Sequence, residues 1–152
     1  MISTVFDTAA KPIAIGSDHA GFEYKEAVKG WLIEKGFKVK DFGTNSLASV
    51  DYPDFAHPTA VSVERGDAAF GILFCGSANG VAITANKHQG IRAGICWEND
   101  VTKLLRMHNN CNIICIPARF VALVLAEEMI ETFMQTAFEG GRHGLRVNKI
   151  SC

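Results

Sequence analysis

The amino-acid sequence predicts an α/β protein in which helices cover both faces of a parallel β-sheet. Short apolar runs alternate with longer amphipathic stretches from about residue 12 to residue 138. One run, residues 68–75, is apolar almost throughout, as expected for a strand that is buried on both faces of a parallel sheet. The connections are short, and no linker rich in Pro, Gly or Ser interrupts them, so the alternation predicts one domain.

The first strand is predicted over residues 12–17, which form a short apolar run. A helix is expected over residues 20–35, because apolar side chains such as Tyr24 and Leu32 recur on one face. Gly36 follows as a residue that readily adopts the left-handed conformation of a helix stop.

Residues 37–43 alternate between apolar and polar side chains, which is typical of a strand near the edge of a sheet. A helix over residues 55–64 is expected to lead into the apolar strand at residues 68–75. A short helix over residues 79–87 is predicted directly after that strand.

The second half of the chain repeats the alternation. Strands are predicted over residues 91–97 and 112–118, with a helix over residues 98–108 between them. A long amphipathic helix is expected over residues 120–138.

Five such strands predict a doubly wound, Rossmann-like sheet, for which we expect the strand order 2-1-3-4-5. In these sheets ligands bind beyond the C-terminal ends of the strands, where the winding reverses. The crevice is then expected between the first and third strands, which run into "SDHAG" and "CGSANG". Residues 1–11 show no periodicity and are expected to form a loose leader before a single domain over residues 12–152.

Composition and charge exclude several functional classes. The chain has 152 residues, 20% of them charged, and a formal net charge of −1, so no basic face is available for nucleic acid or for a membrane surface. No apolar run approaches the ~20 residues that a membrane-spanning helix needs. The N-terminal residues lack the features of a signal peptide, so we expect a cytoplasmic protein.

The five cysteines are expected to be reduced thiols, since an odd number in a cytoplasmic chain does not suggest a disulfide framework. Cys111 and Cys115 have no second pair of ligands in the sequence, which argues against a zinc site. We therefore predict neither a metal nor another cofactor.

The sequence "ILFCGSANGVAI", residues 72–83, places Cys75 between a strand and a glycine-bounded loop at the start of a helix. Backbone amides at such a position favour negative charge. A thiol near a helix N-terminus has more thiolate character at neutral pH and can act as a nucleophile or a base. A plain turn and a buried structural cysteine remain the alternative interpretation of this segment.

Four further groups are candidates for a site that handles hydroxyl and phosphate groups. Asp18 also suits a helix cap and His19 also suits a surface position. His108 falls on the inward face of its helix, where it is either a packed core histidine or an acid–base group. Arg142 and Arg146 are spaced four apart and present one face if they are helical, which suits phosphate oxygens.

With these residues in place, the chain resembles the ribose-5-phosphate isomerase B family, which includes the subunits of galactose-6-phosphate isomerase. The resemblance extends from about Pro12 to about Ile150. Its motifs are "IAIGSDHAGFEYK", "DYPDFA", "GILFCGSANGVAITANKHQGIRAG", "RMHNNCN", "PAR" and "EGGRHGLRV". The resemblance implies a metal-independent aldose–ketose isomerisation of a small phosphorylated sugar, with ribose 5-phosphate and ribulose 5-phosphate as the expected pair.

The resemblance also implies roles for individual residues. Cys75 would be the base, with Ser77 near the reacting carbons and Asp18 and His108 assisting the opening of the sugar ring. Sugar contacts and an anion hole are implied for Tyr52, Gly76, Ala78, Asn79, Gly80 and Asn109. Phosphate binding is implied for His19, Arg119, Arg142 and Arg146. The family shares each site across a homodimer, so His108, Asn109 and the arginine group would come from the partner; a tetramer is left open.

The sequence leaves some alternatives open. A six-carbon substrate such as galactose 6-phosphate or allose 6-phosphate fits the same chemistry, and so does a module that binds a sugar phosphate without converting it. Some family members have glycine at the position of Ala78. We expect Ala78 to lie near the helical region, where an alanine introduces no strain. The group that protonates the ring oxygen is not assigned.

Overall fold

The structure, a computed structural model, describes residues 1–152. It contains five strands and six helices in alternation. The strands are β1 Ile13–Ser17, β2 Val39–Asp41, β3 Gly71–Cys75, β4 Ala93–Ile95 and β5 Ile113–Pro117. The helices are α1 Phe22–Glu34, α2 Pro53–Glu64, α3 Asn79–Ala85, α4 Asn99–Asn109, α5 Leu123–Gln135 and α6 Arg142–Val147. None of the helices combines the length and apolar character needed to cross a bilayer.

The strands form one parallel sheet in the order β2-β1-β3-β5-β4. The doubly wound, Rossmann-like fold is confirmed, but the expected order 2-1-3-4-5 is wrong in its last two strands. Burial explains the exchange: all five residues of β5 are buried, whereas the three residues of β4 are only half-buried. The more apolar strand therefore takes the interior position and the shorter one takes the edge.

Two apolar clusters cover the two faces of the sheet. One cluster joins α1 and α5 to the sheet and has Leu105 of α4 packed against it. The other joins α2 and α3 to the opposite face. The helix after β3 thus lies on the opposite face of the sheet from the helices after β1 and β5. The winding of the sheet therefore reverses at β3.

The three central strands end at the same level. Phe74 of β3 is paired with Ser17 of β1, and Cys75 of β3 is paired with Pro117 of β5. Because β5 lies beside β3, the residues after β5 join those after β1 and β3. This arrangement places three strand ends around one crevice, the position at which doubly wound sheets bind ligands.

The long helix after β5 begins later than the sequence predicts. Residue 120 was the expected start, but α5 begins at Leu123. The N–H groups of Ala118 and Arg119 donate to the carbonyls of Cys75 and Gly76 at 3.0 and 3.1 Å, which holds this segment against the end of β3. Phe120 completes a turn by donating to Pro117.

The leader, residues 1–11, has no helix or strand, but it is not loose as the sequence suggested. The Phe6 ring lies 4.6 Å from the Phe70 ring and 5.4 Å from the Phe133 ring, measured between centroids. The N–H of Val5 donates to the carbonyl of Met134 at 2.8 Å. The leader is therefore packed on the α1/α5 face of the molecule.

Candidate active site

A cavity of about 390 Å³ lies at the C-terminal ends of β1, β3 and β5. Ten residues from four segments line it, and eight of them are predicted site residues. The predicted ones are Asp18, His19, Tyr52, Cys75, Gly76, Ser77, Gly80 and Arg119. The cavity thus lies where the sequence predicts the crevice, with the segment after β5 as an additional wall.

Cys75 is the last residue of β3 and is 5% exposed. The backbone N–H groups of Gly76, Ser77, Ala78 and Gly80, which follow it, donate to no other group in the chain. The loop therefore offers a thiol beside several hydrogen-bond donors whose partner must come from outside the chain. Unpaired donors of this kind favour a negatively charged oxygen.

Ala78 adopts a left-handed conformation, with φ 63° and ψ −3°, and is completely buried beneath the loop. The expectation that it lies near the helical region is therefore wrong. A left-handed residue directly before α3 turns successive amides toward one side, which is the geometry of an anion-binding nest. This conformation costs an L-residue about 1–2 kcal/mol.

The hydroxyl of Ser77 is held by Asn79. The Asn79 side chain donates to Ser77 Oγ at 3.2 Å and its backbone N–H approaches the same oxygen at 3.4 Å. Asn79 itself does not line the cavity, and Ala78 lies below it. These two predicted site residues therefore shape the loop from behind.

Two glycines of the loop allow close approach of neighbouring side chains. A Cβ on Gly80 would lie 2.6 Å from the Tyr52 ring, and one on Gly76 would lie 3.2 Å from the guanidinium group of Arg119. Tyr52 and Arg119 therefore pack directly on the loop backbone. Arg119 makes no ion pair in the chain, so its charge is available to a ligand.

Asp18 and His19 close the cavity from the β1 side. Asp18 is buried, and its Oδ1 accepts a hydrogen bond from the N–H of Gly21 at 3.1 Å. This bond closes the turn before α1, whose N-cap is Gly21 without a side-chain cap, so Asp18 is not the helix cap that the sequence suggested. His19 Nδ1 accepts from the N–H of Val50 at 3.2 Å, which leaves Nε2 as the protonated nitrogen of a neutral ring.

The remaining predicted residues form a second cluster elsewhere on the chain. His108, Asn109 and Arg146 line a separate cavity of about 360 Å³ between α4 and α6. Arg142 and Arg146 both lie on α6, which meets the condition under which the sequence places them on one face. The structure of the single chain does not bring this group to Cys75.

His108 stacks on His143, with ring centroids 4.1 Å apart and planes 10° from parallel. Glu139 Oε2 lies 3.4 Å from His143 Nε2 and 4.0 Å from His108 Nε2. Burial and the nearby charges of His108 and Arg142 lower the pKa of His143 below its ordinary value. Lowering this pKa favours an uncharged His143 ring, which can stack against His108 without charge repulsion.

This cluster is also the only group of side chains in the structure with metal-ligand spacing, since the ligand atoms of His108, Glu139 and His143 lie within 4.8 Å of one another. Arg142 and Arg146 flank these ligands and oppose a cation by charge. The environment suits an anion better than a metal ion.

Sequence reasoning missed Ala20 and Phe120 in the first cavity and His143, Val147 and Ile150 in the second. It also missed Glu139, which contacts His143. Phe120 follows Arg119 directly, and Glu139 and His143 have the i,i+4 spacing of side chains that meet. These two relations in the sequence are the signals from which Phe120, Glu139 and His143 could have been predicted.

Comparison with known proteins identifies the family. The family model described as Ribose/Galactose Isomerase matches residues 13–150. Ribose-5-phosphate isomerase B of Escherichia coli is 41% identical over 141 residues, which is 93% of this chain and 95% of that protein.

Solved structures agree with this match. The ribose 5-phosphate isomerase of Thermotoga maritima has a TM-score of 0.91 and 48% identity, covering 93% of this chain and 97% of its own. Ribose-5-phosphate isomerase B of Mycoplasma genitalium, solved with bound ribulose-5-phosphate, has a TM-score of 0.88 and 38% identity, covering 93% and 94%. The chain belongs to the ribose/galactose isomerase family.

Proposed function

We propose that the chain is a metal-independent aldose–ketose isomerase that interconverts ribose 5-phosphate and ribulose 5-phosphate through an enediolate. The observation that carries the proposal is the single cavity shared by the Cys75 thiol, the unpaired loop amides and the Arg119 cation. Relatives named ribose-5-phosphate isomerase B support the choice of sugar.

The Cys75 thiolate is the base in this mechanism. It removes the proton from C2 of the open aldose and delivers a proton to C1, while the hydroxyl proton of O2 moves to O1, so that the C1 carbonyl becomes a hydroxyl and C2 becomes the carbonyl carbon. A well-placed base contributes about 100- to 10,000-fold to such a step. Its position at the end of β3 places it next to the donors that must act in the same transition state.

The amides from Gly76 to Gly80 stabilise the enediolate oxygen. Removing a proton next to a carbonyl moves negative charge onto the carbonyl oxygen, and a single donor already aimed at that oxygen lowers the barrier by about 3–4 kcal/mol. Ser77 and Tyr52 line the same cavity and orient the sugar hydroxyls. His19 and Arg119 hold the phosphate, and the binding energy gained there positions C1 and C2.

Ribose 5-phosphate is mainly a closed ring in solution, so ring opening precedes proton transfer. Asp18 is buried at the cavity wall and His108 lies at the end of α4. We assign both to the proton transfers that open the ring, without deciding which one protonates the ring oxygen.

We infer that two copies of the chain share each site. On one chain, neither the loop cavity nor the His108–Arg146 cavity contains all of the predicted site residues. In a two-fold dimer the second cluster of one subunit can complete the loop cavity of the other, with Arg142 and Arg146 joining Arg119 on the phosphate.

The direct test is conversion of ribose 5-phosphate to ribulose 5-phosphate by purified protein after treatment with a chelator. Full activity is expected, with a loss of at least about 100-fold in Cys75→Ala. Cys115→Ala is the matched control, because this β5 thiol is buried and does not line the cavity. Absence of ketose, or an equal loss in both variants, would count against the proposal.

A six-carbon sugar phosphate is the second candidate, favoured by the family description, which names galactose as well as ribose. Comparing kcat/KM for ribose 5-phosphate, allose 6-phosphate and galactose 6-phosphate decides between them. A binding module that leaves its ligand unchanged would convert none of the three, and its Cys75 would resist iodoacetamide at neutral pH.

A further inference from the structure

Arg106, in the last turn of α4, is a buried cation without an anionic partner. It is 5% exposed and forms no ion pair. A buried charge is costly unless hydrogen bonds or other favourable contacts replace its hydration. The contacts that do so for Arg106 come from three different segments of the chain.

The first contacts hold the end of α4. Arg106 Nη1 donates to Asn110 Oδ1 at 3.1 Å and to the carbonyl oxygen of Cys111. Asn110 terminates α4 in a left-handed conformation, with φ 48°. The guanidinium group therefore fixes the turn that directly follows His108 and Asn109.

The second contact reaches the segment before α6. Arg106 Nε donates to the carbonyl of Thr136 at 3.1 Å. The N–H of Glu139 in turn donates to the carbonyl of Met107 at 3.1 Å. The chain leading to Arg142 and His143 is thus fastened to the same helix end.

The third contact comes from the leader. The guanidinium carbon of Arg106 lies 4.6 Å from the centroid of the Phe6 ring and 5.4 Å from that of Phe133. Phe6 is stacked on Phe133, so the leader presents an aromatic face to the cation. The family model begins at residue 13, and Phe6 lies outside it.

We propose that Phe6 and Arg106 are positioning residues that hold the C-terminal turn of α4 and thereby orient His108 and Asn109. The leader then contributes to turnover although it does not line the cavity around Cys75. The catalytic part of this inference rests on the proposed function, in which His108 assists ring opening.

Comparing the rates from the two sugar phosphates distinguishes a displaced His108 from a general loss of activity. Ribose 5-phosphate must be opened, whereas ribulose 5-phosphate cannot close a five-membered ring because its O5 carries the phosphate. A misplaced His108 should therefore lower kcat from ribose 5-phosphate more than kcat from ribulose 5-phosphate, both measured at saturating substrate, because the ratio of the two kcat/KM values is fixed by the equilibrium constant. A general loss of folded protein lowers both rates equally.

The test compares Phe6→Leu, Phe6→Tyr and the control Phe37→Leu. Phe37 is also half-buried and packs on the same core, but it is not among the rings that contact Arg106. For Phe6→Leu we expect kcat from ribose 5-phosphate to fall about threefold to tenfold, with less than about a twofold change from ribulose 5-phosphate. Phe6→Tyr keeps the aromatic face and should retain the activity of the unchanged protein.

Amide hydrogen exchange of residues 105–111 provides a measurement that does not depend on activity. Exchange should be faster in Phe6→Leu than in Phe37→Leu. Equal exchange in the two variants overturns the proposal, and so does a parallel fall of both kcat values. If the unchanged protein isomerises neither sugar phosphate, the proposed function fails, while the exchange comparison still decides whether Phe6 holds the end of α4.

Discussion

At the scale of single residues, contact with the cavity separates Cys75 from the other buried cysteines. Burial raises the pKa of Cys96 to about 11 and that of Cys111 to about 12, and it raises the pKa of Cys115 well above its ordinary value. These three thiols therefore stay protonated near neutral pH. Cys75 borders the cavity and the unpaired amides, so it is the thiol that can react with a bound ligand.

Gly80 offers a prediction at this scale. A methyl group there would meet the Tyr52 ring at 2.6 Å, and Tyr52 is 41% exposed, so the ring can move away at little cost in stability. Gly80→Ala should therefore lower kcat/KM for ribose 5-phosphate by at least about tenfold while the melting temperature changes by only about 2 °C.

Gly30→Ala is the matched control for Gly80→Ala, because nothing lies within 4 Å of the added methyl group on α1. Steady-state kinetics and thermal unfolding of both variants check the prediction. A Gly80→Ala enzyme with unchanged kcat/KM would show that contact between Tyr52 and the loop is unimportant for turnover.

Residue chemistry could be predicted from the sequence better than backbone conformation. The composition of the loop indicated Cys75, Ser77 and the glycines, since small residues before a helix suit an anion. The left-handed conformation of Ala78 could not be predicted, because alanine ordinarily avoids it and the surrounding packing, which buries Ala78 completely, decides the outcome.

At the scale of elements, the ion pairs between α1 and β2 give a pH prediction. Lys25 is fully buried on α1, and its Nζ lies 2.6 Å from Asp41 Oδ2, which Lys29 also contacts at 2.8 Å. Burial alone would raise the pKa of Asp41, but hydrogen bonds from Lys25, Lys29 and the Gly43 N–H outweigh it and hold this pKa below its ordinary value of 3.8.

Because the folded state lowers this pKa, the stabilisation is fully present above pH 3.8 and is lost as the pH falls through the lower folded value. Asp41→Asn should therefore flatten the acid side of the profile of unfolding free energy against pH. Chemical denaturation between pH 2.5 and pH 7 measures it, with Asp100→Asn on the exposed start of α4 as the control. Identical profiles for Asp41→Asn and the unchanged protein would contradict the assignment.

The elements themselves could be predicted from periodicity, but their order in the sheet could not. Apolar runs mark β3 and β5 as buried strands without recording which strands are neighbours. The exchange of β4 and β5 matters for function, because it brings Arg119 and Phe120 to the cavity beside Cys75.

At the scale of the whole molecule, sequence periodicity could not reveal the anchored leader. Phe6 is a single aromatic residue in an irregular segment, and its partners Phe70, Arg106 and Phe133 are distant in sequence. Such contacts between distant residues follow from tertiary packing and leave no local pattern.

The proposed sharing of each site between two subunits predicts that two inactive variants can restore each other. In coexpressed Cys75→Ala and Arg146→Ala subunits, about half of the dimers are mixed and one of their two sites is intact, so about a quarter of full activity should return. Activity of the purified coexpressed mixture checks this, and the mixed dimer isolated from it should show about half of full activity. A mixture no more active than the separate variants would mean that each chain works alone.

The most direct measurement of the central claim is the isomerisation of ribose 5-phosphate in deuterium oxide, followed by analysis of hydrogen at C1 of the product. If Cys75 carries the proton, ribulose 5-phosphate formed by the unchanged protein contains solvent deuterium at C1, and Cys75→Ala neither forms product nor exchanges the C2 hydrogen of the substrate. Product formation or C2 exchange by Cys75→Ala at the rate of the unchanged protein would contradict the account.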